Sequence, residues 1–305
     1  MCHVDRDGVV RIYVGAVDLQ GTHTAMAQLA AAILGVPVER VRILQGDTDM
    51  APYAGASGGS KTTYTVGLAV QRAAEEARQQ ILRIASERLE VAPEDLEIRD
   101  GQIYIRGVPE PRMSIGEVAG LSQRFGGKFE PVVGRGSSAQ TEQAPGFAAM
   151  LVRVRVDPET GHITVREAVI AQDVGRAINP LLIEGQMHGG AAQGLGWGLW
   201  EALRYDENGV ALTASFVDYA LPTATEVPPI ETCIVEVPSP HGPFGARGVG
   251  EPPVVPGAAA VANAIRDAVG VRITELPITP EWLWNTLTAR MIAETRLRHE
   301  WGDPS

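Results

Sequence analysis

A single carboxylate, Glu251, stands between Gly250 and Pro252 in the run Gly242-Pro-Phe-Gly-Ala-Arg-Gly-Val-Gly-Glu-Pro-Pro253. Glycines let a backbone take positive φ or come close to a ligand, and a following proline restricts the glutamate to an extended conformation. The carboxylate is therefore placed, and a placed carboxylate can act as a general base. The same residue could equally solvate a loop or lead into a helix. A second set of groups, Gly185-Gln186-Met-His188-Gly-Gly190 followed by Gln193-Gly-Leu-Gly196, puts amide side chains among glycines in an otherwise apolar stretch. A glutamine donates and accepts at once, which suits a ligand edge rich in both kinds of group. Close helix packing around one satisfied polar group is the alternative. A third set, residues 55–60 with Thr62 and Thr63, offers unhindered backbone N–H groups and hydroxyls, a nest for an anionic or oxo-rich ligand.

Two shorter patterns weigh less. Gly55-Ala-Ser57-Gly-Gly59 has the spacing of a hydrolase nucleophile elbow, but that elbow needs a strand directly before it, and Met50-Ala-Pro-Tyr-Ala54 predicts a turn. A serine hydrolase is thus the weaker alternative. Gly134-Arg-Gly136-Ser-Ser-Ala139 resembles a dinucleotide fingerprint, yet Pro145-Gly146 breaks any helix that would follow, and a structural loop is the better expectation. Asp47 and Asp49, in a Gly/Pro-rich turn, are expected to cap backbone rather than bind metal.

The elements that must position these groups alternate between strand and helix patterns. Residues 9–14 and 41–44 predict short strands, and 24–34 an alanine-rich helix stopped by Gly35 and Pro37. A long helix is expected over 66–89, with Ala73, Ala77, Ile81, Ile84 and Ala85 facing inward. A hairpin turning at Asp100-Gly101 covers 96–105, and a short helix lies near 114–119. Residues 151–156 and 162–170 predict a second hairpin in a sheet partly exposed on one face. Residues 180–203 are mostly helical, 232–237 strand-like, 256–265 a buried small-residue helix behind the Glu251 loop, and 281–301 a last helix. Mixed strands and helices without regular βαβ alternation predict an α+β fold, with subdomains over 1–145 and 146–305.

Composition bounds the function. At 305 residues with 45% hydrophobic and 21% charged residues, the chain can bury a sizeable core. A net charge of -11 argues against a nucleic-acid surface or an anionic membrane partner. The apolar run 191–200 is too short and glycine-rich to span a bilayer, and the opening heptapeptide is polar, so a cytoplasmic location is expected. Cys2 and Cys233, the only cysteines, cannot hold an iron–sulfur cluster, and six scattered histidines without an HExxH pair predict no protein-ligated metal. Redox chemistry would need a borrowed cofactor.

Gly245-Ala-Arg-Gly-Val-Gly-Glu251-Pro-Pro and Leu276-Pro-Ile-Thr-Pro280-Glu together resemble the C-terminal signature of the xanthine dehydrogenase/aldehyde oxidase family of molybdenum hydroxylases. The likeness continues through Asp173-Val-Gly-Arg-Ala-Ile-Asn-Pro180, Gly185 to Gly196, Gly46-Asp-Thr48 and Ala56-Ser-Gly-Gly-Ser60. It implies the C-terminal half of the family's molybdopterin-binding large subunit, in two subdomains of mixed sheets and packed helices. Glu251 would be the base in a hydroxylation that takes its oxygen from water, on an aldehyde, an N-heterocycle or carbon monoxide. Gln20, Gly21, Gly59, Ser60, Gln186, Gly248 and Gly250 would contact the molybdenum–pterin cofactor, in its cytosine dinucleotide form. Leu19 departs from the glycine common in that first segment, and Arg247 stands where the family often has lysine. A partner chain carrying the N-terminal half would complete the site, and iron–sulfur and FAD subunits would carry electrons away. A catalytically silent structural or assembly subunit of such a complex is the competing reading.

Overall fold

A computed structural model describes the chain apart from Gly46, Gln140, Thr141 and residues 302–305, and apart from the side chains of 294–301. Gly46 of the Gly46-Asp-Thr48 match therefore lies outside the described residues. The chain forms two compact units that are not consecutive halves. The first comprises Met1–Pro145, Val174–Leu182 and Glu236–Gly248, and the second Gly146–Asp173, Ile183–Val235 and Val249–Ser305.

The first unit begins with β1 (Cys2–Val4) and β2 (Val10–Tyr13), followed by α1 (Thr22–Leu34), β3 (Val41–Leu44) and α2 (Thr62–Leu89). Then come β4 (Leu96–Arg99), β5 (Gln102–Ile105), β6 (Met113–Ser114), α3 (Ile115–Ser122) and β7 (Val133–Gly134). A four-stranded sheet runs β3-β2-β1-β7, and an antiparallel three-stranded sheet runs β4-β5-β6. Helix α1 stops at Gly35, whose φ of 64° gives a left-handed cap. The expected inward residues of α2, from Ala73 to Ala85, are buried, and the helix starts a turn earlier than its apolar pattern. The start of α3 is fixed by a capping box, in which Ser114 Oγ accepts from Glu117 N–H and the Glu117 carboxylate accepts from Ser114 N–H.

The polar-looking N-terminus is the main departure from expectation. Residues 2–4 form β1 at the centre of the first sheet, and Cys2 and Val4 are wholly buried between β2 and β7. Three residues are too few to show alternation, so only the neighbours reveal the strand. Burial pushes the Cys2 thiol up to about 12, which makes it a core side chain rather than a nucleophile.

In the second unit, β8 (Phe147–Val156) and β9 (Ile163–Asp173) form a long antiparallel hairpin with a bulge at Arg153/Val154. β10 (Ile230–Val235) pairs with β9 in parallel, which makes β9 the central strand. The hairpin extends beyond the residues expected from the sequence at both β8's start and β9's end. Helices α4 (Pro180–Leu199), α5 (Gly257–Val269) and α6 (Pro280–Trp301) complete the element list. One face of the sheet is covered: Val152, Ile163, Val165 and Ala168 pack with Leu195, Leu199, Val261, Ile265 and Leu283. Each large aliphatic side chain buried there contributes roughly 1.5–3 kcal/mol of transfer free energy. Among the described residues, no helix is long and apolar enough to cross a membrane.

Candidate functional site

Glu251 is exposed at the head of a tight turn, in which Val254 N–H donates to the Glu251 carbonyl at 3.0 Å. This turn rests directly on α4 and runs into α5. A Cβ on Gly190 would lie 2.7 Å from Pro253 Cβ, and one on Gly194 would lie 2.5 Å from the Val254 carbonyl oxygen. A Cβ on Gly257 would in turn meet the backbone of Gly194 at 2.6 Å. Gly190 and Gly194 of α4 are therefore needed because the helix and the turn approach so closely. Gln186 lies one turn before Gly190 on the same helix, half-buried, and Gly185 and Gly189 on either side of it face open space. So within the second unit the expected base and the expected amide contact belong to helix and turn segments held together by glycine packing.

The carbonyl of Val249, two residues before Glu251, accepts from Gln172 Nε2 at 3.1 Å. At the end of α4 the Glu201 carboxylate accepts from the Tyr219 hydroxyl at 2.8 Å. That hydrogen bond holds the Tyr219 proton on and raises its pKa. A Cβ on Gly196 would lie 2.2 Å from the same carboxylate, so Gly196 leaves room for the Glu201 side chain.

Gly250 directly precedes Glu251 in the second unit, and the first unit carries the remaining expected contacts. In the loop before α2, Gly59 (φ 72°) and Ser60 (φ 55°) are both left-handed. A Cβ on Gly58 or Gly59 would meet nothing within 4 Å. The loop thus presents open backbone, the kind of cradle an extended polar ligand needs. Gly248 packs against this loop, since a Cβ there would lie 2.8 Å from the Ser60 carbonyl oxygen. Gln20 (φ 55°) is exposed, and Gly21 (φ 73°) caps the start of α1 with its Cα pressed on Leu182, where a Cβ would fall 2.4 Å from Cδ1. The open backbone at Gly58 and Gly59 and the exposed Gln20 amide fit a pterin cofactor, whose edges combine donors and acceptors.

Other residues of the matching motifs have structural roles. Arg247 Nε donates to the Val237 carbonyl at 3.2 Å and its Nη1 to the Pro145 carbonyl at 2.8 Å, so the guanidinium staples backbone. Asn179 caps α4 by accepting from Leu182 N–H at 3.1 Å, while its Nδ2 donates to Gln28 Oε1. Glu236 accepts from Ala177 N–H at 2.9 Å and pairs with Arg176. Asp47 Oδ1 accepts from Asp49 N–H at 3.0 Å as a turn former. Ser57 Oγ lies 3.3 Å from Thr62 Oγ1 in a loop with no strand immediately before it, the reverse of a nucleophile elbow. Gly134 and Gly136 press onto α2, where Cβ atoms would lie 1.9 Å from the Ala73 carbonyl oxygen and 2.0 Å from that of Ala69. The two-residue step along the chain matches a one-turn step on the helix, which accounts for the fingerprint-like spacing. The roles of Gln172, Asn179 and Glu236 are not apparent from the sequence. For Gln172 the available signal is a polar residue at an inward position of an alternating strand.

Residues 1–228 match the model of the molybdopterin cofactor-binding domain family. The chain is 34% identical over 301 residues to the 6-hydroxypseudooxynicotine dehydrogenase complex subunit gamma of Paenarthrobacter nicotinovorans, covering 92% of this chain and 36% of the relative. It is 38% identical over 254 residues to the carbon monoxide dehydrogenase large chain of Afipia carboxidovorans, covering 82% of this chain and 31% of that protein. Among solved structures, it superposes on quinoline 2-oxidoreductase from Pseudomonas putida 86 with a TM-score of 0.87 at 31% identity, over 94% of this chain and 38% of that one. The reduced Cu,Mo carbon monoxide dehydrogenase gives 0.85 at 33% identity, over 95% and 37%. The chain thus spans about a third of the length of these relatives, from 31% to 38%. Its α+β fold is that of these molybdoenzymes, and it belongs to the xanthine dehydrogenase/aldehyde oxidase family as the C-terminal part of a molybdopterin-binding subunit.

Proposed function

We propose that this chain presents the general base of a molybdenum hydroxylase. The observation that carries this reading is the seating of the Glu251 turn on α4: an exposed carboxylate fixed by backbone contact to the helix that bears Gln186. When bound, the molybdenum–pterin group supplies the two-electron oxidation of a substrate carbon, with oxygen drawn from water. Glu251 accepts the proton of the oxygen nucleophile, and the contacts of Pro253 and Val254 with α4 hold the backbone from which its side chain projects. In the second unit Gln186 and Gly250 would contact the cofactor, Gln186 by donating and accepting at its edge. In the first unit Gln20, Gly21, Gly59, Ser60 and Gly248 would do so, the glycines by letting backbone N–H groups approach.

The substrate class is an aldehyde, an N-heterocycle or carbon monoxide, in line with the names of the relatives. The cofactor would be the cytosine dinucleotide form. The remaining part of the large subunit, an iron–sulfur subunit and an FAD subunit would complete the enzyme, the latter two carrying electrons that no thiolate cluster of this two-cysteine chain could hold. Glu251→Gln in the assembled complex should leave molybdenum content intact and cut turnover by at least ~10²-fold, the loss expected for a missing general base. Turnover within a few-fold of the parent complex would remove Glu251 from the mechanism.

A further inference from the structure

Strand β9 alternates strictly toward its end: Ala168, Ile170 and Gln172 face inward and are wholly buried, whereas Val169, Ala171 and Asp173 are less so. An inward position on the central strand of a sheet is where an aliphatic side chain is expected. Here it holds a primary amide, which is costly to bury unless it makes hydrogen bonds. Gln172 pairs with Ala148 of β8 and Ile234 of β10, so strands flank it on both sides and its backbone is fixed by the sheet. Its Nε2 donates to the Val249 carbonyl at 3.1 Å across a separation of 77 residues. Val249 stands two residues before Glu251, on the side of the carboxylate opposite the contact between Pro253 and Gly190.

The Glu251 turn is therefore gripped at two points. After the carboxylate, Pro253 and Val254 lie on α4; before it, a buried amide on the central strand of the second unit's sheet holds the chain. Between the grips, Gly250 gives the backbone torsional freedom that would otherwise let Glu251 swing. We propose that Gln172 is a positioning residue for the reaction, acting through the Val249 carbonyl to fix where the Glu251 carboxylate points. This rests on the reading of Glu251 as the base. A side chain that only filled the core would need no amide, and a methionine would serve the same volume.

The test uses the assembled holoenzyme with Gln172→Met, which keeps the side-chain length and removes the donor, and Gln172→Asn, which keeps the amide and shortens its reach. Turnover is measured on whichever of benzaldehyde, quinoline, xanthine or carbon monoxide the parent complex oxidises fastest. Both variants should retain molybdenum and lose about 10- to 100-fold in kcat with KM little changed, because misplacing a catalytic group by about 1 Å costs that much. Amide hydrogen exchange at Val249, Gly250 and Glu251 should speed up. In a Glu251→Gln background the same changes should alter the residual kcat by less than about two-fold, since residues acting as one unit are not additive. If the loss persists undiminished in that background, Gln172 is a packing residue only, and unaltered exchange at 249–251 likewise overturns the proposal. Should Glu251→Gln itself retain full turnover, the reading of Glu251 as base falls, and with it any catalytic role for Gln172. The exchange measurement would then still show separately whether the amide holds the turn. Where Gln172→Met fails to assemble, Gln172→Asn carries the same comparison.

Discussion

Gly58 and Gly59 of the loop before α2 and the seam glycines Gly190 and Gly194 of α4 occur in equally glycine-rich sequence, yet they do opposite things. Around Gly58 and Gly59 a methyl group would find open space, while Gly190, Gly194 and Gly257 have another backbone or a proline where a Cβ would go. The first set leaves a backbone uncovered, and the second brings two backbones together. A glycine-rich motif therefore has no single meaning in this chain. What separates the two cases is the distance from Cα to the next element, which spacing in the sequence does not report.

That contrast is tested most severely at Gly194. A Cβ there has only 2.5 Å to the Val254 carbonyl oxygen, and backbone cannot rotate away as a side chain would. Gly194→Ala should lower stability by about 3 kcal/mol, the upper part of the range for overpacking a close contact. Because α5 and the Glu251 turn share this seam, the loss of turnover should exceed what the change in folded fraction explains. Urea denaturation of the variant gives the number, and a midpoint equal to that of the parent would mean that α4 and the turn are not in close contact.

Much of this frame is legible in the sequence. The hairpin of β4 and β5 turns at Asp100-Gly101 as expected, with φ of 48° and 73°, because an Asp-Gly pair between alternating segments leaves few other conformations. The inward face of α2 follows from a 3.6-residue period sustained over many turns. Strand β1 is illegible because three residues carry no period, and its burial is imposed by β2 and β7. At the site, motif likeness points to the residues themselves but not to their supports. The seating of Pro253 on Gly190 joins positions 63 residues apart, and the grip of Gln172 on Val249 joins positions 77 apart. Contacts of that separation leave no periodic trace. Asn179 reads in sequence as part of a motif and in the structure is the cap of α4, a role readable only once the helix start is known.

A smaller effect is expected at Gly59. Its surroundings are open, but its φ is 72°, a conformation in which an L side chain crowds the following carbonyl. Gly59→Ala should cost about 1–2 kcal/mol from backbone strain alone. A thermal shift of that size, with no sign of core disruption, would sharpen the contrast: conformation constrains this position, whereas contact constrains Gly194. A loss as large as that of Gly194→Ala would mean the loop is packed after all.

The smallest effect on folding, and the sharpest question about function, belongs to Gly58. Here φ is unexceptional and no atom stands within 4 Å of where a methyl group would go, so neither strain nor collision opposes a side chain. Gly58→Ala should therefore change stability by no more than about 0.5 kcal/mol, with a slight gain available from the stiffer unfolded chain. If the loop is open because the cofactor's backbone contacts lie there, the added methyl group must stand between ligand and N–H, and most of the molybdenum should be lost from the assembled complex while its melting temperature stays put. Elemental analysis of parent and variant complexes decides it. A variant that is as stable as the parent and holds as much molybdenum would show that the open loop serves something other than the cofactor, and would remove Gly59 and Ser60 from the proposed contacts with it.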